Sequence, residues 1–331
     1  MLEIVVDAYG GDYSPKETVE GALSALDDFS DFSLVITGNK EEISRLTEGR
    51  SDRVKIVDAP DVITNNDVPT EAIRNKRDSS LVAAIDYMNA NKSAKALIST
   101  GSTGAVLTGA VLLTRRIKGV IRPALAPVLP TVKPNKKVIL IDCGAIVDPK
   151  PQNLVQYAQM GTAYAKFFNV ENPVVALLSN GTEDKKGNAL NKEAFELLKN
   201  SNVNFAGNIE AREILSGDYD VIVADGFSGN IALKACEGTA VTMFDLIKKG
   251  IMGGGLRAKI GYLLLKPVFK EIKHTMDYND NGGAVLLGLE KIVVKGHGAS
   301  KAKAVRNAVL QARELAIGNL VEKISGEISH D

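Results

Sequence analysis

Residues 96–113 read Ala-Leu-Ile-Ser-Thr-Gly-Ser-Thr-Gly-Ala-Val-Leu-Thr-Gly-Ala-Val-Leu-Leu. An apolar run of strand length ends at Ser99, a Gly/Ser/Thr turn occupies 99–104, and an apolar helix follows. Strand, glycine turn and helix form the repeating unit of a parallel α/β sheet. The unit is also a natural anion seat: glycine lets the backbone come close, the first helical N–H groups have no partner inside the helix, and hydroxyls add donors. The turn contains no lysine, so its own pull on an anion rests on dipoles. Gly101, Ser102, Thr103 and Gly104 are therefore read as a seat for a phosphate or a developing oxyanion.

The pattern recurs outward from this stretch. Apolar runs of strand length lie at 3–7, 33–38, 54–59, 96–99, 137–142, 173–179, 204–207, 221–224 and 291–295. Helical periodicity falls between them at 15–26, 39–46, 79–90, 153–168 and 188–200. The alternation predicts an α/β fold with a mainly parallel, doubly wound sheet. No internal repeat or low-complexity linker divides it, so residues 1–331 are expected to form a single α/β domain.

Composition narrows the class. The 331 residues include 40 Lys+Arg and 40 Asp+Glu, a net charge of zero that argues against a general nucleic-acid binder. Thirty glycines and 45% apolar residues fit a glycine-rich enzyme. Cys143 and Cys236 are too few for a disulfide framework, and the three histidines have no metal-ligand spacing, so no metal is expected. Neither a signal peptide nor a bilayer-spanning run is visible, and a cytoplasmic location is expected.

Six glycine-bearing loops at strand ends are expected to gather on one sheet edge, where open α/β sheets bind ligands. The first is Asp7-Ala8-Tyr9-Gly10-Gly11-Asp12, with Gly10, Gly11 and Asp12 as candidate ligand contacts. The second is the turn at 101–104. The third, 142–148, contains Cys143, which is more often a small packed residue than a nucleophile and has no base near it in sequence. The fourth, 180–188, offers Asn180, Gly181 and the pair Lys185-Lys186 as a source of positive charge. The fifth is Asp225-Gly226-Phe227-Ser228-Gly229-Asn230. The sixth is Gly296-His297-Gly298, a histidine held between glycines. Dinucleotide, Walker-type, nucleophile-elbow and zinc-helix motifs are all missing.

One stretch departs from the pattern. Residues 246–276 contain Lys248, Lys249, Arg257, Lys259, Lys266, Lys270 and Lys273 against Glu271 alone, with Leu256, Ile260, Leu263 and Leu264 at helical spacing. The glycines at 253–255 break the helix and Pro267 is read as starting another, which predicts a protruding basic amphipathic hairpin.

Taken together, the loops resemble the PlsX family, the bacterial phosphate acyltransferases of phospholipid synthesis. The match runs from Val6 to about Leu315. It is carried by the 7–12 loop, Arg74-Asn75-Lys76-Arg77-Asp78-Ser79-Ser80, Arg122-Pro123-Ala124-Leu125-Ala126, Lys186-Gly187-Asn188, Gly207-Asn208-Ile209-Glu210 and the 225–230 loop. The chain departs from the family pattern at Tyr9 (usually Met), Ser102 (usually Asn), Ile146 (usually Asn) and Asn281 (usually Tyr). The resemblance implies a three-layer α/β/α fold like that of phosphotransacetylases and isocitrate dehydrogenases. It also implies a homodimer without cofactor that transfers a fatty acyl group from acyl carrier protein to inorganic phosphate, giving acyl phosphate.

On that reading phosphate attacks the thioester directly, and Lys185, Asn230 and His297 are the expected catalytic residues. Lys185 is preferred to Lys186 on the family pattern. Asp225 and Gly229 join the substrate-binding loops. The hairpin is expected to dock on membrane lipid, on the acidic carrier protein or on a second subunit through Leu256, Ile260, Leu263 and Leu264. Peripheral membrane contact would suit a product destined for a membrane glycerol-3-phosphate acyltransferase. The rival readings are an acyltransferase using coenzyme A esters, a decarboxylating dehydrogenase of the same fold group, and a catalytically silent membrane scaffold.

Overall fold

The computed structural model describes residues 1–50, 52–276 and 282–328. Its strands are β1 (Leu2–Asp7), β2 (Phe32–Gly38), β3 (Val54–Asp58), β4 (Ala94–Ser99), β5 (Ala124–Ala126), β6 (Val128–Pro130), β7 (Lys137–Ile141), β8 (Val174–Ser179), β9 (Asn204–Glu210), β10 (Val221–Val223), β11 (Ala284–Leu287) and β12 (Ile292–Lys295). Its helices are α1 (Lys16–Asp28), α2 (Lys40–Thr47), α3 (Pro69–Asn75), α4 (Ser80–Ala90), α5 (Thr103–Leu113), α6 (Pro151–Phe167), α7 (Ala189–Lys199), α8 (Gly226–Gly253), α9 (Gly255–Met276), α10 (Ala302–Ile317) and α11 (Leu320–Ile328).

The strands form two sheets, where the alternation alone had pointed to one. The seven-stranded sheet has the order β3-β2-β1-β4-β12-β11-β5, and the five-stranded sheet has the order β6-β7-β10-β8-β9. The short strands β5, β6 and β11, which pair antiparallel, were not legible as strands. Three or four residues carry too little periodicity to read. β5 ends on Ala126 and β6 starts at Val128, so the chain passes from one sheet to the other across Pro127.

Strand alternation builds the layers. Ile4 and Val6 of β1 enter a core that continues into Ile139, Ile141, Val175 and Leu177 of the second sheet, under α1, α6, α10 and α11. Val5, Leu97 and Val293 face the opposite way, into a second core with α3, α4 and α5. The start of α8 covers the other face of the five-stranded sheet through Ala232 and Leu233. Each fully buried Leu or Ile contributes about 1.5–3 kcal/mol of transfer free energy. The small residue Gly21 lets α1 approach α10 closely, since a Cβ there would lie 2.7 Å from Val305.

In the seven-stranded sheet the chain runs outward through β2 and β3, then returns to place β4 on the other side of β1. The crevice between the ends of β1 and β4 is a topological switch point, the usual ligand position in such sheets.

The basic hairpin is present but built differently from the expectation. α8 is continuous from Gly226, so one helix joins the loop at 225–230 to the hairpin tip. The break falls at Gly254 and Gly255, the latter with φ +71°, a left-handed conformation that glycine adopts without strain. Pro267 lies inside α9 instead of starting a helix. Its missing N–H removes one backbone bond, and the helix continues on either side of it. Leu256 and Leu264 are each 76% exposed, with Leu263 and Ile260 exposed beside them. Among the described residues no helix is long and apolar enough to cross a membrane.

Candidate active site

The predicted edge of six loops is split between the sheets. The loops at 7–12, 99–104 and 296–298 follow β1, β4 and β12, while those at 142–148, 180–188 and 225–230 follow β7, β8 and β10. A cavity of about 120 Å³ lies where the two groups meet, lined by Thr103, Cys143, Asn230, Lys234, Lys295 and His297 among others.

The first wall is shaped by a buried carboxylate. Asp7 ends β1, and its Oδ2 accepts from Ser99 Oγ at 2.7 Å. Ser99 Oγ in turn accepts from the backbone N–H of Gly101 at 3.1 Å, which fixes the start of the turn. Asp7 Oδ1 accepts from Tyr9 N–H at 3.2 Å. Glycine is required where these loops meet: a Cβ on Gly10, at φ +97°, would lie 2.7 Å from Gly101 Cα. One on Gly11 would lie 2.5 Å from Thr100 Oγ1. Asp12 N–H donates to the Gly298 carbonyl at 2.8 Å, tying the first loop to the histidine loop.

The turn leads into α5, whose cap residue Ser102 makes no side-chain capping bond. The first N–H groups of α5 therefore lack the usual side-chain acceptor, at a helix start whose Thr103 lines the cavity. The helices after the 180–188 and 225–230 loops differ. Asp225 caps α8 by accepting from Phe227 and Ser228 N–H at 3.0 and 2.9 Å. Asn188 caps α7 by accepting from Asn191 N–H at 2.9 Å. Asn180 closes its own loop by accepting from Gly187 N–H at 2.9 Å. Asp225 and Asn180, both expected as substrate contacts, thus hold their loops in shape, and the negative Asp225 repels an anion from the α8 terminus.

The second wall repeats the device of the first. Asp142, buried just after β7, accepts from the backbone N–H groups of Leu125, Ala145 and Ile146 at 2.8, 3.0 and 2.7 Å. Ile146 therefore works through its backbone, and its carbonyl accepts from Gly226 N–H at 3.0 Å. A Cβ on Gly226 would lie 2.7 Å from Asp142 Oδ2, and Gly229 packs on the Asp142 carbonyl, so both glycines serve close packing. A Cβ on Gly144 would meet the Asn230 amide carbon at 3.7 Å, which places the Asn230 side chain over this loop.

Electrostatics separate the titratable groups. Burial raises Asp7 and Asp142 to about 6 each, against the hydrogen bonds that favour their charged forms. Burial also lifts the Cys143 thiol well above its usual range, with Asp142 adding to the effect. The thiol is 2% exposed and stays protonated at neutral pH, the wrong state for a nucleophile. His297 Nδ1 accepts from Ala299 N–H at 3.1 Å, which puts the ring proton on Nε2. Burial, followed by the charge of Lys234, lowers the His297 pKa.

Lys185 is exposed on the loop after β8 and does not line the cavity. It shares the carboxyl edge with Asn230, because β8 pairs with β10. Lys234, Glu237 and Lys295, which do line the cavity, were missed as candidates. Lys234 and Glu237 pair at 2.7 Å one and two turns beyond Asn230 on α8, a helical spacing that could have found them. Tyr9, at a position where the resemblance implies Met, donates from its hydroxyl to Glu42, away from the cleft. Asn281 lies outside the described residues.

The fold and the cleft define an α/β protein of the phosphotransacetylase architecture with a ligand crevice between two sheets. Solved structures show the same fold: a phosphotransacetylase from Streptococcus pyogenes superposes with a TM-score of 0.60 at 19% identity, covering 96% of this chain and 94% of that one. A branched-chain phosphotransacylase from Enterococcus faecalis gives 0.56 at 14%, covering 95% and 99%. The family model described as fatty acid synthesis protein matches residues 2–323. A phosphate acyltransferase of Clostridium novyi is 47% identical over 99% of this chain and 98% of its own length. A phosphate acyltransferase of Bacillus subtilis is 43% identical over 100% and 99%. The chain belongs to this family of fatty acid synthesis proteins, the PlsX family.

The raised pKa of Asp7 has a consequence for stability. Between pH 3.8 and about 6 the folded protein holds a proton on Asp7 that the unfolded chain has released. Stability therefore falls as pH rises through that window, by up to about 3 kcal/mol for this group. Denaturant unfolding should show wild type losing more stability than Asp7→Asn between pH 4 and pH 6 (about two pH units). Parallel pH profiles for the two proteins would contradict the burial argument.

Proposed function

We propose that the cleft moves a fatty acyl group from the thioester of acyl carrier protein to inorganic phosphate, releasing acyl phosphate. The observation that carries this reading is the uncapped start of α5, which shares one cavity with the Asn230 amide. Phosphate is already an anion and needs holding, not activation through a covalent enzyme intermediate. A phosphate oxygen bonds to the thioester carbonyl carbon, the carbon–sulfur bond breaks, and the sulfur leaves as thiolate and takes up a proton. Hydrogen phosphate and thioester thus become acyl phosphate and free thiol.

The N–H groups of Thr103 and Gly104 and the hydroxyl of Ser102 supply donors to the phosphate or to the carbonyl oxygen as it gains charge. Asn230 supplies one from the opposite wall. Losing one such donor costs about 10²–10³ in rate. Lys185, exposed on the loop after β8 and outside the cavity lining, is the residue we assign to neutralise phosphate and protonate the departing thiolate. His297, with its proton on Nε2, is the secondary proton carrier. A protonated, buried Cys143 fits direct attack by phosphate. The location read for the chain is cytoplasmic with peripheral membrane contact, as a homodimer, handing acyl phosphate to a membrane glycerol-3-phosphate acyltransferase.

The α8–α9 hairpin supports the membrane part. Exposed Leu256, Ile260, Leu263 and Leu264 stand among Lys and Arg, the composition of an interfacial helix. Each basic residue near an anionic leaflet adds about 1 kcal/mol, and each buried Leu about 1.5–3 kcal/mol.

Incubation with palmitoyl carrier protein and phosphate, read by mass detection of acyl phosphate, tests the reaction. Lys185→Ala should lower turnover by about 10²–10³ with the fold intact. Near-normal turnover would remove Lys185 from the mechanism, and no acyl phosphate from wild type would refute the reaction and favour a scaffold. The double variant Leu263→Glu, Leu264→Glu should no longer float with anionic vesicles while its KM for the carrier substrate is unchanged. Undiminished flotation would refute membrane docking, and a raised carrier KM with flotation intact would assign the hairpin to the carrier.

A further inference from the structure

We propose that Lys295 is a second, buried cation of the phosphate subsite, placing its ammonium beside the anion that the 101–104 turn holds. The inference rests on the acyl transfer reading above and adds a residue to it.

The sheet dictates the position. Ser99 of β4 pairs with Lys295 of β12, and Asp7 ends the strand on the other side of β4. All three have the strand parity of Val5, Leu97 and Val293, which face the core beneath α5. Asp7, Ser99 and Lys295 thus form a row across the ends of three adjacent parallel strands, directly under the anion turn. A lysine at this place does not continue the apolar pattern of β12. Its neighbours Ile292, Val293 and Val294 are all core residues.

Lys295 is 8% exposed and lines the cavity together with Thr103 and Asn230. Its Nζ donates to the adjacent Gly296 carbonyl, and among the described residues it makes no ion pair. An ammonium has three donors, so the cavity side of Lys295 has donors to spare. A buried charge is retained where it is paired or used. Asp7 is the carboxylate in the row, and its oxygens are engaged by Ser99 and Tyr9. Lys234 lines the same small space but is paired there with Glu237, and burial and Lys234 hold His297 toward its neutral form, so the unpaired positive charge of the space is that of Lys295. A volume of about 120 Å³ suits a small oxyanion and not a fatty chain. Lys295 also answers the absence of a lysine in the turn from within the same sheet, whereas Lys185 sits exposed on the other.

The groups that face Lys295 are Asp7 and Asp12 from β1 and its loop, Lys234 and Glu237 from α8, His297 from the loop after β12, and Cys143 from the loop after β7. Burial first, and Lys234 second, push its pKa down to about 8, while Asp12 and Asp7 oppose the shift. Positive charge at the subsite is therefore present below that pH and lost above it.

The test compares wild type, Lys295→Met and Lys295→Arg with palmitoyl carrier protein at varied inorganic phosphate. Removing a charge-assisted hydrogen bond should raise the phosphate KM of Lys295→Met by about 10–100-fold, with the carrier KM unchanged. In wild type the phosphate KM should climb above pH 8 (roughly the pKa of Lys295), whereas Lys295→Arg, always charged, should lack that limb. Inorganic phosphate should raise the unfolding temperature of wild type and not that of Lys295→Met. An unmoved phosphate KM, or an undiminished thermal shift in Lys295→Met, would overturn the proposal. If wild type spares the thioester, the acyl transfer reading fails by itself, and the phosphate thermal shift still decides the role of Lys295.

Discussion

The architecture of the cleft depends on two aspartates buried at strand ends. Asp7 orients Ser99 and through it the Gly101 amide, and Asp142 gathers the N–H groups of Leu125, Ala145 and Ile146. Each carboxylate loses solvation and regains it from local donors, so each is worth keeping only while its loop holds one shape. The glycines around them let the loops close to van der Waals distance. The result is two closely packed walls, one per sheet, joined where the chain crosses from β5 to β6 at Pro127.

The walls divide the labour. The seven-stranded sheet presents backbone donors at the uncapped start of α5, and the five-stranded sheet presents a side-chain amide, Asn230, at the start of α8. Because α8 carries its own carboxylate cap, the two helix starts are not equivalent, and the proposed reaction directs the anion to α5. The same α8 continues into the exposed hairpin, so a contact at the hairpin tip and the cleft share one helix.

Much of this was legible in the sequence. The long apolar strands and the periodic helices fell within a few residues of their observed bounds, since fully buried parallel strands read as apolar runs. All six loops were located correctly along the chain, but their assignment to one edge was wrong. Nothing local in the short antiparallel strands β5, β6 and β11 marks the division into two sheets. The turn at Gly101–Gly104 was legible by number, because turn chemistry is local. The place of Lys295 in the cavity lining was not legible, because a lone charge at the end of an apolar strand comes beside the turn only when β12 pairs with β4. Asp225 and Asn180 were read as ligand contacts because a polar residue in a loop looks the same whether it faces a substrate or its own backbone. Pro267 was read as a helix start, although packing permits a helix to run through it.

The central claim is that the uncapped start of α5, faced by Asn230, is the phosphate seat. Diffraction from crystals grown with saturating inorganic phosphate tests it most directly. The account predicts an anion within hydrogen-bond distance of the Thr103 and Gly104 N–H groups, on the side facing Asn230. An anion bound instead at the start of α8 or on the 180–188 loop, with α5 unoccupied, would contradict it.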